Sequence, residues 1–153
     1  MMFTLAKLSV VAMLIVVTCV VASAQTAGAP AAAVFFDKAK VDQAMTSGSV
    51  LYDGKMFRVQ MGKRTEAGQV EFHAKDTDVF YIVSGSATFV TGGTMVGGKT
   101  TGPGEIRGTS ITGGETRELA AGDVIVIPDS VNHWWKAIHK PVVYFTMKEV
   151  TGK

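Results

Sequence analysis

The stretch EFHAKDTDVFYIVSGS, residues 71–86, decides the fold. Its polar residues are spaced as Glu71-x-His73-x4-Asp78-x6-Gly85, and a second string, Gly122-x5-Pro128-x4-His133, follows later in the chain. Strand residues i and i+2 face the same side, so Glu71 and His73 are expected to point together. Imidazole and carboxylate groups suit divalent metals such as Zn, Fe, Mn and Ni. The glycines mark turns, and Pro128 ends a strand because it has no N–H for a ladder.

Outward from these strings the chain reads as β. Val50-Leu51-Tyr52 runs into Asp53-Gly54, a hairpin turn signal. Residues 55–61 alternate, with Phe57, Val59 and Met61 on one face and Arg58 and Gln60 on the other. The polar pair is read as solvent-exposed in preference to ligand-orienting. Residues 79–83 are a continuous apolar run closed by Ser84-Gly85-Ser86, and a further strand over 87–90 follows. Residues 92–114 hold nine glycines and Pro103. Such a segment reads as too flexible to pack, either a loop flanking a site mouth or a surface excursion. Strands are expected over 115–119, 124–127 (buried), 131–138 and 142–149, with His139 in a turn beside Lys140-Pro141. The only plausible helix covers 35–45 and is stopped by Ser47-Gly48. Short strands separated by turn signals predict an all-β antiparallel sandwich or barrel with one short N-terminal helix.

The N-terminus reads differently. Lys7 precedes the uncharged run Leu8–Val21, and Ala22-Ser23-Ala24 supplies an A-x-A cleavage site before Gln25. This pattern predicts a secretory signal peptide over residues 1–24. The 14-residue run is short of the ~20 a membrane span needs, so no stable membrane anchor is expected. Cleavage leaves 129 residues (153 − 24), enough for one domain with a core. Cys19 is the single cysteine and is removed with the leader, so the mature chain has no disulfide or thiol chemistry. Residues 25–34 are Ala- and Pro-rich and read as a flexible linker, and 35–153 as the folded domain. The formal charge of +2 becomes +1 without Lys7, and no basic cluster supports nucleic-acid binding. Gly-x-Ser-x-Gly, phosphate-loop and CxxC patterns are absent from the mature sequence.

With both strings in order within a β-rich chain, residues 50–149 resemble a cupin. The usual cupin motifs are G-x5-H-x-H-x3-4-E-x6-G and G-x5-P-x-G-x2-H-x3-N. Glu71 stands at the first His, His73 at the second, and Asp78 at the Glu. Gly85, Gly122, Pro128 and His133 match. Ser130 replaces a Gly, Ala137 replaces the Asn, and Thr65 stands where the opening Gly would be. The resemblance implies a jelly-roll β-barrel holding one divalent metal (Fe, Mn or Zn) through His73, Asp78 and His133. Glu71 is a fourth ligand, a general base, or solvent-facing. An alternative alignment, with His73 and Lys75 at the two His positions, is disfavoured because it puts a cation at the metal. Phe80 and Ile82 share parity with Asp78, and Trp135 with His133; these three are expected to line the pocket, with core packing the alternative for Trp135. The resemblance further implies a small-molecule substrate or ligand and either metal-dependent catalysis (oxidation, isomerisation or lyase chemistry) or non-catalytic binding. A homodimer through the apolar strand 142–147 is possible, and the destination is periplasmic or secreted.

Overall fold

The computed structural model describes residues 32–150; the expected leader and most of the linker lie outside the described residues. One helix and eleven strands follow in order: α1 (Lys38–Ser47), β1 (Val50–Asp53), β2 (Phe57–Arg64), β3 (Val70–His73), β4 (Asp76–Thr91), β5 (Thr94–Val96), β6 (Lys99–Gly102), β7 (Glu105–Gly108), β8 (Ser110–Thr112), β9 (Glu115–Ala120), β10 (Val124–Ile127) and β11 (His133–Val150). Helix α1 starts later than expected because Asp37 caps it, its side chain accepting from the Lys40 N–H. Gly48 ends it in the left-handed conformation.

The expected strand pairs 79–83/87–90 and 131–138/142–149 are each one long strand, β4 and β11, which pair with each other along most of their length. Both bend at one place. Gly85 has φ +88°, and a Cβ there would sit 2.1 Å from the Pro141 carbonyl oxygen. The β4–β11 register slips across Lys140 and Val143. Inward parity reverses once in each strand, in β4 across Gly85 and in β11 between Trp135 and Ile138, where the register also shifts. In β4 the buried residues run Phe80 and Ile82, then Ala87 and Phe89; in β11 they run His133 and Trp135, then Val142, Tyr144 and Thr146. His139 is therefore in β11, not a turn. It lies 2.8 Å from the Thr88 hydroxyl and 3.2 Å from Glu118.

The bend divides a nine-stranded antiparallel sheet into two layers that share β4 and β11. One layer runs β1–β2–β11–β4–β10, using the later part of β11 and the earlier part of β4. The other runs β6–β7–β3–β11–β4–β9. This is a jelly-roll. Between the layers lies a core of Phe80, Ile82, Ala87, Phe89, Leu119, Ile127, Trp135, Val142 and Tyr144.

Three expectations are corrected. The glycine-rich segment 92–114 is not loop: it forms β5–β8, with β7 paired to β3 and β5 to β8. Strand β10 is not buried on both faces, because it pairs with β4 alone among the described strands and leaves Val124 and Val126 more than half exposed. In β2 the parity is opposite to the reading. Gln60 and Gly62 lie opposite the inward Thr146 and Tyr144, so the polar face, not Phe57–Val59–Met61, points into the barrel. Met61 is buried nonetheless, and helix α1 packs on β2. Residues 142–147 have β2 on one side and β4 on the other, so this strand has no free edge for pairing with a second copy.

Two substitutions test the backbone. Gly85→Ala places a methyl against Pro141 in a left-handed backbone, and a loss of about 2–4 kcal/mol in chemical denaturation is expected. Gly122→Ala, at φ +97° with open space around it, should cost only about 1–2 kcal/mol. Ser130, where the resembled motif has Gly, holds φ +61°. Ser130→Gly relieves that conformation and should raise stability by up to about 1 kcal/mol by the same measurement.

Candidate metal and ligand site

Strand β3 leaves the second layer carrying Glu71 and His73 on one face, and its Glu71 lies directly across from His133 of β11. The expected side-by-side placement of Glu71 and His73 is what the strand produces. One potential ligand atom from each of Glu71, His73 and His133 lies within 4.8 Å of the others. Asp78, on β4 of the first layer, faces them: its Oδ2 is 3.3 Å from His73 Nε2 and 3.7 Å from His133 Nε2. His73 Nε2 is 3.7 Å from Glu71 Oε2. His73, Asp78 and His133 are all buried.

Both imidazoles are oriented by their other nitrogen. His73 Nδ1 lies 2.7 Å from each oxygen of Glu105. A carboxylate only accepts, so Nδ1 carries the hydrogen. His133 Nδ1 donates to the Val131 carbonyl at 3.1 Å. In each ring Nε2 is thus the atom presented to the shared space, the arrangement by which proteins fix a metal-binding tautomer. The backbone secures the pair from behind, since the Ser130 N–H donates to the His73 carbonyl at 2.7 Å.

The carboxylates have cationic partners. Arg64 Nη2 donates to Glu71 Oε1 at 2.8 Å, and Arg107 lies 3.5 Å from Glu71 Oε2 and 3.0 Å from Glu105. Lys148 Nζ is 3.2 Å from Asp78 Oδ1 and 3.7 Å from Asp76. Burial lowers His73, but the hydrogen bond and charge of Asp78 outweigh it and hold the ring above its ordinary 6.5. Burial dominates at His133 and pushes it below 6.5. Asp78 would be raised by burial, yet His73 and Lys148 hold it below 3.8. The His73–Asp78 pair therefore stabilises the metal-free fold fully between pH 3.8 and 6.5, and it weakens as pH rises through His73's raised value or falls through Asp78's lowered one. His133 works in the opposite sense: its contribution is present above 6.5 and is lost as pH falls through its lowered value.

A cavity of about 90 Å³ opens onto the cluster, lined by Glu71, His73, Asp78, Phe80 and Trp135 together with Gln60, Arg64, Tyr144, Thr146 and Lys148. Phe80 and Trp135 stack 5.7 Å apart and form its apolar side. Trp135 also belongs to the core, so wall and packing roles coincide. Ile82 does not line this cavity; it is fully buried in the core below, beside Tyr144 of the neighbouring strand. Gln60 faces the cavity, against the expectation of exposure. Arg64, Thr146 and Lys148 went unrecognised in the sequence, though counting inward positions along β2 and β11 finds them. Glu105 and Arg107 were hidden in the segment read as loop; the Pro103-Gly104 turn ahead of an alternating strand was their only signal.

Two imidazole nitrogens and nearby carboxylates form a donor set that fits a divalent ion of the Fe, Mn or Zn type. Asp78 Oδ1 is buried and, among the described residues, has no hydrogen bond but an ion pair to Lys148.

The chain belongs to the cupin family: the family model described as Cupin matches residues 52–152. No curated protein sequence matches it. Among solved structures it is similar to a Bacillus halodurans protein at 11% identity, covering 82% of this chain and 86% of that one with a TM-score of 0.54. It is also similar to a cupin protein of Bacteroides fragilis (17% identity, 69% and 78% coverage, TM-score 0.48). A third is the DMSP lyase DddQ of Ruegeria pomeroyi (13% identity, 64% of this chain, TM-score 0.46), of whose length the chain spans only 40%. At these identities the likeness is one of fold and does not transfer chemistry.

Glu105→Ala removes the acceptor that orients His73. Divalent-metal affinity, measured by calorimetry, should fall about 10–100-fold. In NMR titration of the metal-free protein the His73 midpoint should move down from its position above 6.5, because Glu105 favours the charged ring.

Proposed function

We propose that this protein is an exported cupin that binds one divalent metal ion and acts on a small organic molecule. The observation that supports this most is the convergence of Glu71, His73 and His133 with Asp78 across from them, both rings held in the same tautomer. His73 and His133 would donate Nε2, and Glu71 and Asp78 carboxylate oxygens. Such an ion supplies Lewis-acid polarisation of a bound oxygen, or O2 chemistry where it is iron. The chain's own residues hold the rest. Glu105 fixes His73, Phe80 and Trp135 keep one wall dry, and Lys148 and Arg64 offset the carboxylates. Export rests on Lys7, the Leu8–Val21 run and Ala22-Ser23-Ala24.

One observation favours a second reading. Arg64, Arg107 and Lys148 already neutralise Glu71 and Asp78, as a non-catalytic ligand-binding cupin without metal would require.

Elemental analysis separates the two. The protein purified after export from metal-replete cells should begin at Gln25 and carry about one Fe, Mn or Zn per chain; below ~0.1 the metal reading is overturned, since metal binding and folding are coupled. His133→Ala should lower both metal content and melting temperature. If neither moves, His133 is not a ligand.

A further inference from the structure

The proposed metal site uses one side of the cavity and leaves the other unexplained. Gln60 and Thr146 lie side by side across β2 and β11, with Arg58 and Lys148 one step further along. Thr146 is 1% exposed, and among the described residues its hydroxyl has no hydrogen-bond partner; the buried Arg64 Nε–H has none there either. Leaving a buried polar group unpaired costs about 1–3 kcal/mol, so unpaired groups gathered on one small cavity point to a ligand that pairs them. Lys148 carries three N–H donors and, among the described residues, pairs with Asp76 and Asp78 at 3.7 and 3.2 Å.

Charge indicates what that ligand is. The ion pairs around the cavity join four carboxylates, Glu71, Asp76, Asp78 and Glu105, to three cations, Arg64, Arg107 and Lys148. The sum is −1. A divalent ion beside neutral histidines turns it to +1. Excess positive charge at a largely buried site is costly, and an anionic ligand offsets it. Size narrows the choice to a small molecule, since the cavity is only about 90 Å³.

We infer that the small molecule is a short carboxylate. Its carboxylate is held by Thr146 Oγ1, Arg64 Nε and Lys148 Nζ, and its carbon chain lies against Phe80 and Trp135. This inference rests on the metal reading above.

The test titrates acetate, and neutral acetamide of nearly the same shape, into metal-free and metal-loaded protein by calorimetry, with metal content measured on the same samples. Metal-loaded protein should bind acetate in preference to acetamide, and more tightly than the metal-free protein does. Thr146→Val, which keeps the volume, and Lys148→Met should each retain metal and weaken acetate, Lys148→Met by about tenfold or more. Metal-loaded protein that ignores acetate overturns this inference and leaves the metal reading standing. So does equal affinity for acetamide, affinity unchanged in both variants, or acetate binding as tight without metal. A protein that loads no metal overturns both.

Discussion

At the corner where β4 and β11 cross between the layers, Gly85 presses its backbone onto Pro141 and the facing of β4 reverses across it, while that of β11 reverses a few residues earlier, between Trp135 and Ile138. A strand's side chains alternate with period two, so a slip of one residue turns every later side chain to the opposite face. A slip in one strand alone would put half of its buried residues into water. Because each strand reverses once, the interior stays continuous, from Asp78, Phe80 and Ile82 to Ala87 and Phe89, and from His133 and Trp135 through Ile138 to Val142, Tyr144 and Thr146. Pro141 is suited to the place, since it has no N–H to leave unpaired where the ladder is broken. The same bend carries the first residue of β11, His133, and the near-terminal Lys148 to opposite sides of Asp78.

Much of this was legible because turns and parity are local. The glycines, Pro128 and the alternation of residues 70–73 were enough to suggest an antiparallel jelly-roll and to bring Glu71 and His73 to one face. What was not legible depends on which face is inside. In β2 the apolar residues lie outside and Arg58, Gln60 and Arg64 inside, the reverse of what alternation suggests when the interior is assumed apolar. That assumption fails here because the barrel interior has two halves. One is filled by Phe80, Phe89, Trp135 and Tyr144, the other by ion pairs. Ile82 illustrates the limit: its parity is inward as expected, yet it lies too far along β4 to reach the cavity.

The two halves have different physical roles. Aromatic packing, with Phe89 and Trp135 edge-to-face at 4.8 Å, supplies burial that does not depend on pH or salt. The ionic half is costly to desolvate and contributes less net stability, but it defines the position of each charged group. Gly62 shows how closely the halves meet. A Cβ there would lie 2.1 Å from the Tyr144 ring, so the ring that bounds the ionic cavity rests directly on backbone.

Glu105 is supplied by β7, which the Pro103-Gly104 turn joins to β6, and it reaches the Nδ1 of His73 from outside both motif strings. The strings decide where the imidazoles stand and, through Asp78, supply most of what keeps His73 protonated; the intervening segment adds the Glu105 bond that orients the ring and favours its charged form further. Two cupins with identical strings but different intervening segments can therefore differ in the acidity and metal preference of the same histidine. The region between the motifs thus shapes the pocket without belonging to either string.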